Sequence, residues 1–197
     1  AHRIFWGPID GEAVWQDLDS LLKETWQHPG GGTIRIDAAC IDSGDGGYTE
    51  IVNSFARPRF GRRVVAITGV PGVSRQFLQK SGTKGQLLWL VDTDAVKSQL
   101  FARLSRGQGV RFGAALGPIY FEQLTSERRV VHYARGVPPA RFERIKGKRA
   151  ETLDATVYAW AARQMIGVNL DRRAEELSSE AAPKKQPPVV RSAWLSR

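Results

Sequence analysis

The segment Ile36-Asp-Ala-Ala-Cys40-Ile-Asp42-Ser-Gly44 closes an apolar, partly β-branched run over residues 33–41 with an acidic residue and small turn-forming residues. Short runs of this composition are typical of a buried strand. Asp42 is therefore predicted to end a strand, where the Ser and Gly that follow fit a tight turn. The single cysteine lies inside the run and is predicted to act as a small buried hydrophobe, not as a nucleophile.

The sequence that follows this segment predicts a strand, helix, strand unit. Residues 49–55 have helical spacing, and residues 63–67 form another short apolar run. Such a unit makes a parallel strand pair with a right-handed crossover. A first helix is predicted over residues 12–27, a Gly-rich loop over 69–85 and a further apolar run over 87–91.

The second half of the chain continues with helices and a hairpin. Asp92 and Asp94 are predicted to cap a helix that runs through Leu104, because acidic residues favour the first turn of a helix. A helix over residues 120–127 precedes a predicted hairpin of residues 128–133 with 142–145, and a final helix follows. Residues 1–170 are interpreted as one domain, and residues 171–197 as a basic, Pro-containing flexible tail.

Charge and composition favour an intracellular protein with a polyanionic partner. The formal net charge is +9, and the basic residues are clustered, most densely in Arg144-Ile-Lys146-Gly-Lys148-Arg149. Neutralising phosphates is the main source of sequence-independent affinity for nucleic acid, so nucleic acid is the favoured partner. The sequence contains no run that could span a bilayer and no signal-peptide pattern, and one cysteine excludes intrachain disulfides.

The final helix brings two carboxylates close behind this basic loop. Glu151 and Asp154 are three residues apart, so they can lie on the same face of a helix. A strand-end acid that faces helix-start acids is how metal-dependent nucleases hold two Mg²⁺ ions about 4 Å apart. On these residues alone, however, a turn-forming role for Asp42 and a dipole-stabilising role for Glu151 and Asp154 are the better explanations.

Four motifs in order make the chain resemble a known family. They are Ile41-Asp42-Ser43-Gly44, Asp94-Ala-Val-Lys97-Ser-Gln-Leu100, Tyr120-Phe-Glu-Gln123-Leu-Thr125-Ser-Glu127 and Ala150-Glu151-Thr152-Leu153-Asp154. Over most of residues 14–163 the sequence resembles the nuclease domain of the large terminase subunit of tailed bacteriophages, in its lambda-type branch. In the last motif, Ala150 stands where the family usually has Asn.

The resemblance implies an α/β, RNase H-like fold, in which a mixed sheet flanked by helices presents acids to two Mg²⁺ or Mn²⁺ ions. It assigns Asp42 and Asp154 as catalytic metal ligands, and Glu151 as a further catalytic acid that binds metal directly or supports the ligands. The resemblance also favours metal binding over turn formation and dipole stabilisation for these acids. Possible phosphate contacts are His132 and the DNA-binding candidates Lys97, Arg144, Lys146, Lys148 and Arg149.

The implied activity is hydrolytic cutting of concatemeric double-stranded DNA during phage packaging, in the cytoplasm of the bacterial host. The implied partners are double-stranded DNA, the ATPase domain of the same terminase, the small terminase subunit and the portal or procapsid. No membrane partner is expected. The chain has no Gly-x-x-x-x-Gly-Lys-Ser/Thr sequence, so an ATP site is expected elsewhere.

The sequence departs from the family at its beginning. The family's domain opens with a strand that carries a further Asp in a pattern like Val-Asp-x-Gln, and nothing of that kind precedes Val14. The chain is therefore interpreted as an incomplete domain that binds metal weakly and cuts slowly. Two alternatives stay open: a non-catalytic module that binds DNA or procapsid, and another RNase H-like enzyme such as a transposase or resolvase.

Overall fold

The computed structural model describes residues 9, 11–29, 31–44, 46–72, 77–81, 87–107, 109–131, 140–169, 171–172 and 174–176. It has an α/β architecture, a mixed sheet flanked by helices, in agreement with the RNase H-like class. The helices are α1 (Glu12–Lys23), α2 (Thr49–Ala56), α3 (Thr93–Ser105), α4 (Pro118–Leu124) and α5 (Glu151–Gln164), with a 3₁₀ helix at Arg57–Arg62. The strands are β1 (Thr25–Gln27), β2 (Thr33–Arg35), β3 (Ala39–Asp42), β4 (Val64–Val70), β5 (Leu78–Lys80), β6 (Leu88–Asp92), β7 (Glu127–Val131) and β8 (Ala140–Arg144).

The central sheet has the order β3-β4-β6-β5, and only β5 is antiparallel to its neighbour. The predicted parallel pairing is confirmed, because β3 and β4 flank α2 in the chain and run in the same direction. The carboxyl ends of β3, β4 and β6 therefore lie at one edge of the sheet. Ligands of open α/β sheets bind at this edge, and Asp42 is the last residue of β3.

Helix α5 covers this sheet and fixes the main core. Leu153 and Val157 are fully buried, and they pack with Ile67 of β4, Val91 of β6 and Leu100 of α3. Burial of each such side chain contributes roughly 1.5–3 kcal/mol. Because α5 contacts β3 as well as α3 and α4, this core sets the position of its first turn relative to the sheet edge.

The antiparallel hairpin of β7 and β8 packs beside α3. In its register Glu127 is opposite Arg144 and Arg129 is opposite Phe142. Directly opposed residues share a face of a hairpin, so these four side chains lie on one face. The backbone amide of Phe142 donates to Asp94 Oδ1 at 3.0 Å, which ties the hairpin to the start of α3.

Some predicted boundaries were wrong. The first helix ends at Lys23, because Thr25–Gln27 pairs with Thr33–Arg35 as a separate antiparallel ribbon. This pairing also divides the predicted strand over residues 33–41 into β2 and β3. The helix predicted over residues 120–127 ends at Leu124, and Glu127 begins β7 instead.

The predicted loop over residues 69–85 contains a strand. Its residues Leu78–Lys80 form β5, which pairs with β6, whereas residues 73–76 and 82–86 lie outside the described residues. Burial raises the pKa of Cys40 to about 12, so its thiol stays protonated and packs against the core. In the part of the chain that the structure describes, no helix has the length and apolarity needed to cross a membrane.

Helix α1 is attached to the sheet by a second, smaller core and to the 3₁₀ helix by Asp19. Asp19 Oδ1 accepts a hydrogen bond from Arg59 Nε at 2.7 Å and lies 3.4 Å from Arg62 Nη1. The hydrogen bonds from Arg59 and Lys23 hold the pKa of Asp19 well below its ordinary value. The folded protein therefore favours the ionised form of this carboxylate.

We expect Asp19→Asn to lower the free energy of unfolding by about 1–2 kcal/mol at pH 7, because hydrogen bonds to charged groups are lost. A carboxylate whose pKa is lowered by folding stabilises the folded state at pH values above its ordinary pKa of 3.8. This stabilisation declines as the pH falls below 3.8. Urea unfolding of the variant and of the exposed control Asp17→Asn, compared with wild type, measures both effects. An equal loss of unfolding free energy in the two variants would contradict this account. So would a difference between Asp19→Asn and wild type that is the same at pH 3 and pH 7.

Candidate active site

Asp42 lies in an exposed turn at the carboxyl end of β3. Its Oδ1 accepts a hydrogen bond from the backbone amide of Gly44 at 2.9 Å, which is the geometry of an Asx turn. Ser43 is buried beneath it, and its amide and hydroxyl both donate to the carbonyl of Ile67 on β4. The turn-forming role is thus present, and it also holds the carboxylate in a fixed orientation at the sheet edge.

Asp154 lies in the first turn of α5, and its side chain is 38% exposed. Burial raises its pKa, and Lys97, Glu127, Arg144 and Asp42 then act on it electrostatically in that order. Lys97 and Arg144 lower the pKa, whereas the two acids raise it. The negative charge of Asp42 is therefore close enough to Asp154 to raise its pKa, as the last of the influences named.

Lys97 is buried beside Asp154, and among the described salt bridges it is the only lysine that pairs with two acids, Glu127 and Asp154. These three residues are called the Lys97 triad. Lys97 Nζ lies 2.7 Å from Glu127 Oε2 and 3.8 Å from Asp154 Oδ1, and its side chain is 8% exposed. Glu127 is 7% exposed, so this ion pair is almost completely removed from water. Lys97 was predicted to bind DNA; its position makes it first a support for the two carboxylates.

Tyr158 links the acids of strand and helix. It follows Asp154 by one helical turn, on the same face of α5. Burial raises the pKa of Tyr158 well above its ordinary range, and the charge of Asp42 and a side-chain hydrogen bond with Asp42 raise it further. The hydroxyl thus stays protonated and donates a hydrogen bond to Asp42, and it also contacts the backbone of Gly69 on β4.

The first turn of α5 is capped from another helix. Ala150, which precedes the helix, makes no side-chain capping bond. Instead, Gln123 Oε1 of α4 accepts hydrogen bonds from the amide of Thr152 at 3.3 Å and from its hydroxyl at 2.8 Å. Gln123 therefore supplies a cap that Ala150 lacks, and it fixes the turn that carries Asp154.

We expect Gln123→Leu to lower the free energy of unfolding by about 1–2 kcal/mol, because the amide and the hydroxyl of the buried Thr152 both lose their acceptor. Gln99→Leu, an exposed position in the middle of α3, makes the same chemical change without removing a cap. Chemical denaturation of both variants is the measurement. A Gln99→Leu loss as large as that of Gln123→Leu would show that the cap contributes nothing specific.

The remaining predicted site residues lie around the basic loop. Arg144 Nη2 is 3.4 Å from Asp154 Oδ2, so this arginine reaches the acidic pair directly. Glu151 is 59% exposed and pairs with Arg149 at 3.0 Å, and its lowered pKa is caused first by a backbone hydrogen bond. Glu151 is therefore directed to the loop and not into the Lys97 triad.

Two lysines complete this loop. Lys148 Nζ lies 3.3 Å from Glu122 Oε1 of α4, and Lys146 is exposed. With Arg144 and Arg149 they form a basic surface next to Asp154 and Glu151. His132, the other predicted phosphate contact, and residues 177–197 of the predicted tail lie outside the described residues.

Asp42 and Asp154 are the two predicted acids whose charges act on each other in this structure. Both are carboxylates, the oxygen donors that Mg²⁺ and Mn²⁺ prefer, and their like charges disfavour each other unless a cation is shared. Mg²⁺ is commonly held by one or two carboxylates together with substrate phosphates and water. Among the described residues no group of three or more His, Cys, Asp or Glu side chains could hold a metal.

Two residues of this site received no role from the sequence. Glu127 was seen only as the end of a motif, because its approach to Lys97 depends on the placement of β7 beside α3. Tyr158 had a usable signal, since a residue four positions after Asp154 on a helix shares its face. Asp92, in contrast, caps α3 as predicted, by accepting from the amide of Ala95 at 3.0 Å.

Comparisons with known proteins agree with the resemblance seen in the motifs. The family model described as "Terminase large subunit gpA, endonuclease domain" matches residues 1–176. Neither the search of curated proteins nor the search of solved structures found a match. Because the family match spans most of the chain and contains every predicted site residue, the chain belongs to the family of terminase large subunit gpA endonuclease domains.

Proposed function

We propose that this chain is a metal-dependent endonuclease that cuts concatemeric double-stranded DNA during phage packaging, with its active site at Asp42 and Asp154. The observation that carries the proposal is the placement of Asp42 at the carboxyl end of β3 and of Asp154 in the first turn of α5, the helix that packs on β3. Family membership supports DNA cleavage as the class of reaction. The residues around the acids explain how this chain would perform it.

In this proposal Asp42 and Asp154 hold Mg²⁺ or Mn²⁺, and Glu151 is a further acid at the margin of the site. When bound, a metal of this kind lowers the pKa of a coordinated water and stabilises charge on the phosphate. One or two carboxylates are the number with which proteins commonly hold Mg²⁺, and the two-ion arrangement stays a prediction. Glu127 is engaged with Lys97, so it is not assigned as a ligand.

The chain's own residues orient these ligands. The Asx turn at Gly44 and the hydroxyl of Tyr158 hold Asp42, whereas Lys97 and Arg144 approach the two oxygens of Asp154 separately. Such supporting contacts fix ligand direction before the substrate arrives. They also limit the repulsion between the acids while no phosphate is bound.

The basic loop is placed to receive the DNA backbone. Arg144 is more than half exposed although it touches Asp154, so its guanidinium can also contact a phosphate beside the acids. Lys146, Lys148 and Arg149 continue the positive surface from that point. Their interactions with DNA would be independent of sequence and would weaken with salt.

Metal dependence is the direct test of this proposal. We expect the full chain to nick supercoiled plasmid in Mg²⁺ or Mn²⁺ and to lose all nicking in EDTA. Replacing both Lys146 and Lys148 by Ala should reduce DNA affinity and its salt dependence without removing the metal site. Absence of nicking at every Mg²⁺ and Mn²⁺ concentration would contradict the enzymatic function.

A second candidate is a non-catalytic module that binds DNA or procapsid. It is favoured by one observation: the described residues offer two carboxylates and no larger group of potential ligands. The same basic surface would then serve binding alone. Calorimetry separates the two functions, because the module predicts DNA binding with no uptake of Mn²⁺.

A further inference from the structure

An open groove of about 460 Å³, called the cavity below, lies between α3 and the hairpin of β7 and β8. It is separate from the exposed carboxylate of Asp42, and no role has been given to it above. The residues that the inference uses are Ser98, Phe101, Ala102, Glu127, Arg129 and Phe142. They combine aromatic, hydroxyl and oppositely charged groups, which is the composition of a ligand site more than of a packing defect.

The chemistry of the walls suits a flat, polar heterocycle. Phe101 and Phe142 stack with ring centroids 5.6 Å apart and an interplanar angle of 21°, so they form one aromatic wall. Ser98 and Arg129, which are both exposed, supply donors and an acceptor at its margin. A nucleobase has both a face that stacks on aromatic rings and an edge that hydrogen-bonds to such groups.

The cavity is connected to the candidate active site along the hairpin. Arg129 and Phe142 are opposed across it, and Glu127 and Arg144 are the next opposed pair on the same face. Arg144 contacts Asp154, and Phe142, the cavity residue on the same strand, is two strand residues from Arg144, or about 7 Å. Successive nucleotides of a duplex strand rise about 3.4 Å along the axis, so this span is about two nucleotides.

Buried charges provide a second connection. Glu127 lines the cavity and also pairs with Lys97, and Lys97 in turn lies 3.8 Å from Asp154. A group that enters the cavity therefore meets the same ion triad that supports Asp154. Arg129 is exposed at the cavity and adds positive charge on the side where a DNA backbone would pass.

From these observations we infer that the cavity receives one unstacked base of the DNA strand whose phosphate lies at Asp42 and Asp154. The inference rests on the proposed DNA substrate and adds a base subsite to the active site. Its occupant is a base and not a protein side chain, because the aromatic wall, the hydrogen-bonding margin and the adjoining phosphate surface match a nucleotide together. The subsite favours DNA with a base that is already unpaired, since such a base needs the least unstacking.

The test compares two DNA duplexes that each contain one 2-aminopurine, which is paired in one duplex and unpaired in the other. Binding of the full chain is measured by fluorescence anisotropy in EDTA, so the result does not depend on cleavage, and the 2-aminopurine emission reports stacking. Arg129→Ala removes a cavity charge, and Arg128→Ala removes the same charge from the adjacent residue, which lies on the opposite hairpin face. Phe142→Leu removes one ring and keeps an apolar side chain.

We expect wild type and Arg128→Ala to prefer the duplex with the unpaired base about tenfold and to change its emission. Arg129→Ala and Phe142→Leu should lose this preference and the change in emission. If wild type binds both duplexes equally, or if all four proteins keep the same preference, the base subsite is overturned although DNA binding stands. If wild type binds neither duplex, the subsite and the proposed DNA substrate both fail.

Discussion

Asp154→Asn is expected to reduce metal-dependent nicking of plasmid DNA by more than about 100-fold. Removing residues that merely orient a metal ligand commonly costs 10- to 100-fold, so loss of a ligand should cost at least as much. Asn is nearly the same size as Asp but lacks the charge that attracts the cation. Nicking is measured as the rate at which supercoiled plasmid is converted to the open circular form.

The fold of this variant should survive. Folding raises the pKa of Asp154, so the folded state favours the protonated side chain. The ionised side chain therefore lowers the stability of the folded state at neutral pH, and this loss disappears at acidic pH. The neutral variant is thus expected to unfold at the same or a higher urea concentration at pH 7. Asp37→Asn is the matched control, since Asp37 is an exposed acid paired with Arg35. Equal nicking by Asp154→Asn and Asp37→Asn would sink the assignment of Asp154.

Lys97→Met should produce the largest loss of stability, about 3–5 kcal/mol in the free energy of unfolding. The substitution leaves Glu127 buried with no ammonium beside it, and a lone buried charge is far more costly than a buried pair. Lys23→Met removes an ion pair with Asp19 whose lysine is 64% exposed, so its loss should stay below about 1 kcal/mol. Urea unfolding of both variants provides the comparison.

A double-mutant cycle separates the ion pair from general effects on packing. Glu127→Gln should restore much of the stability that Lys97→Met removes, because the unpaired charge disappears. If the two losses simply add, the buried pair is not coupled and Lys97 does not support the site as described. The cycle needs no metal and no DNA, so it tests the architecture independently of activity.

The central sheet was predictable because its information is local. The apolar runs that became β3, β4 and β6 are short and bounded by turn residues, and the helix between the first two implied a parallel pair. The proximity of Asp42 and Asp154 was expected from the motifs, and the structure places Asp42 at the end of β3 and Asp154 on the helix that packs on β3. Their role as metal ligands remains a prediction.

Other features depend on contacts that local sequence does not encode. The sequence predicts a loop where β5 lies, because these three residues form a strand only by pairing with β6. Lys97 was predicted to contact DNA, since nothing in the helix sequence shows that Glu127 is placed against it by the hairpin. The cap of α5 was invisible for the same reason, because Gln123 and Thr152 meet only after α4 packs on α5.

The most direct measurement is calorimetric titration of the full chain with Mn²⁺, in parallel with Asp42→Asn, Asp154→Asn and Asp37→Asn. If Asp42 and Asp154 share a cation, wild type and Asp37→Asn should bind Mn²⁺ with the same affinity, and each of the other two substitutions should weaken binding at least tenfold. Wild-type affinity in both Asp42→Asn and Asp154→Asn, or no uptake of Mn²⁺ by the wild-type chain, would contradict the shared site.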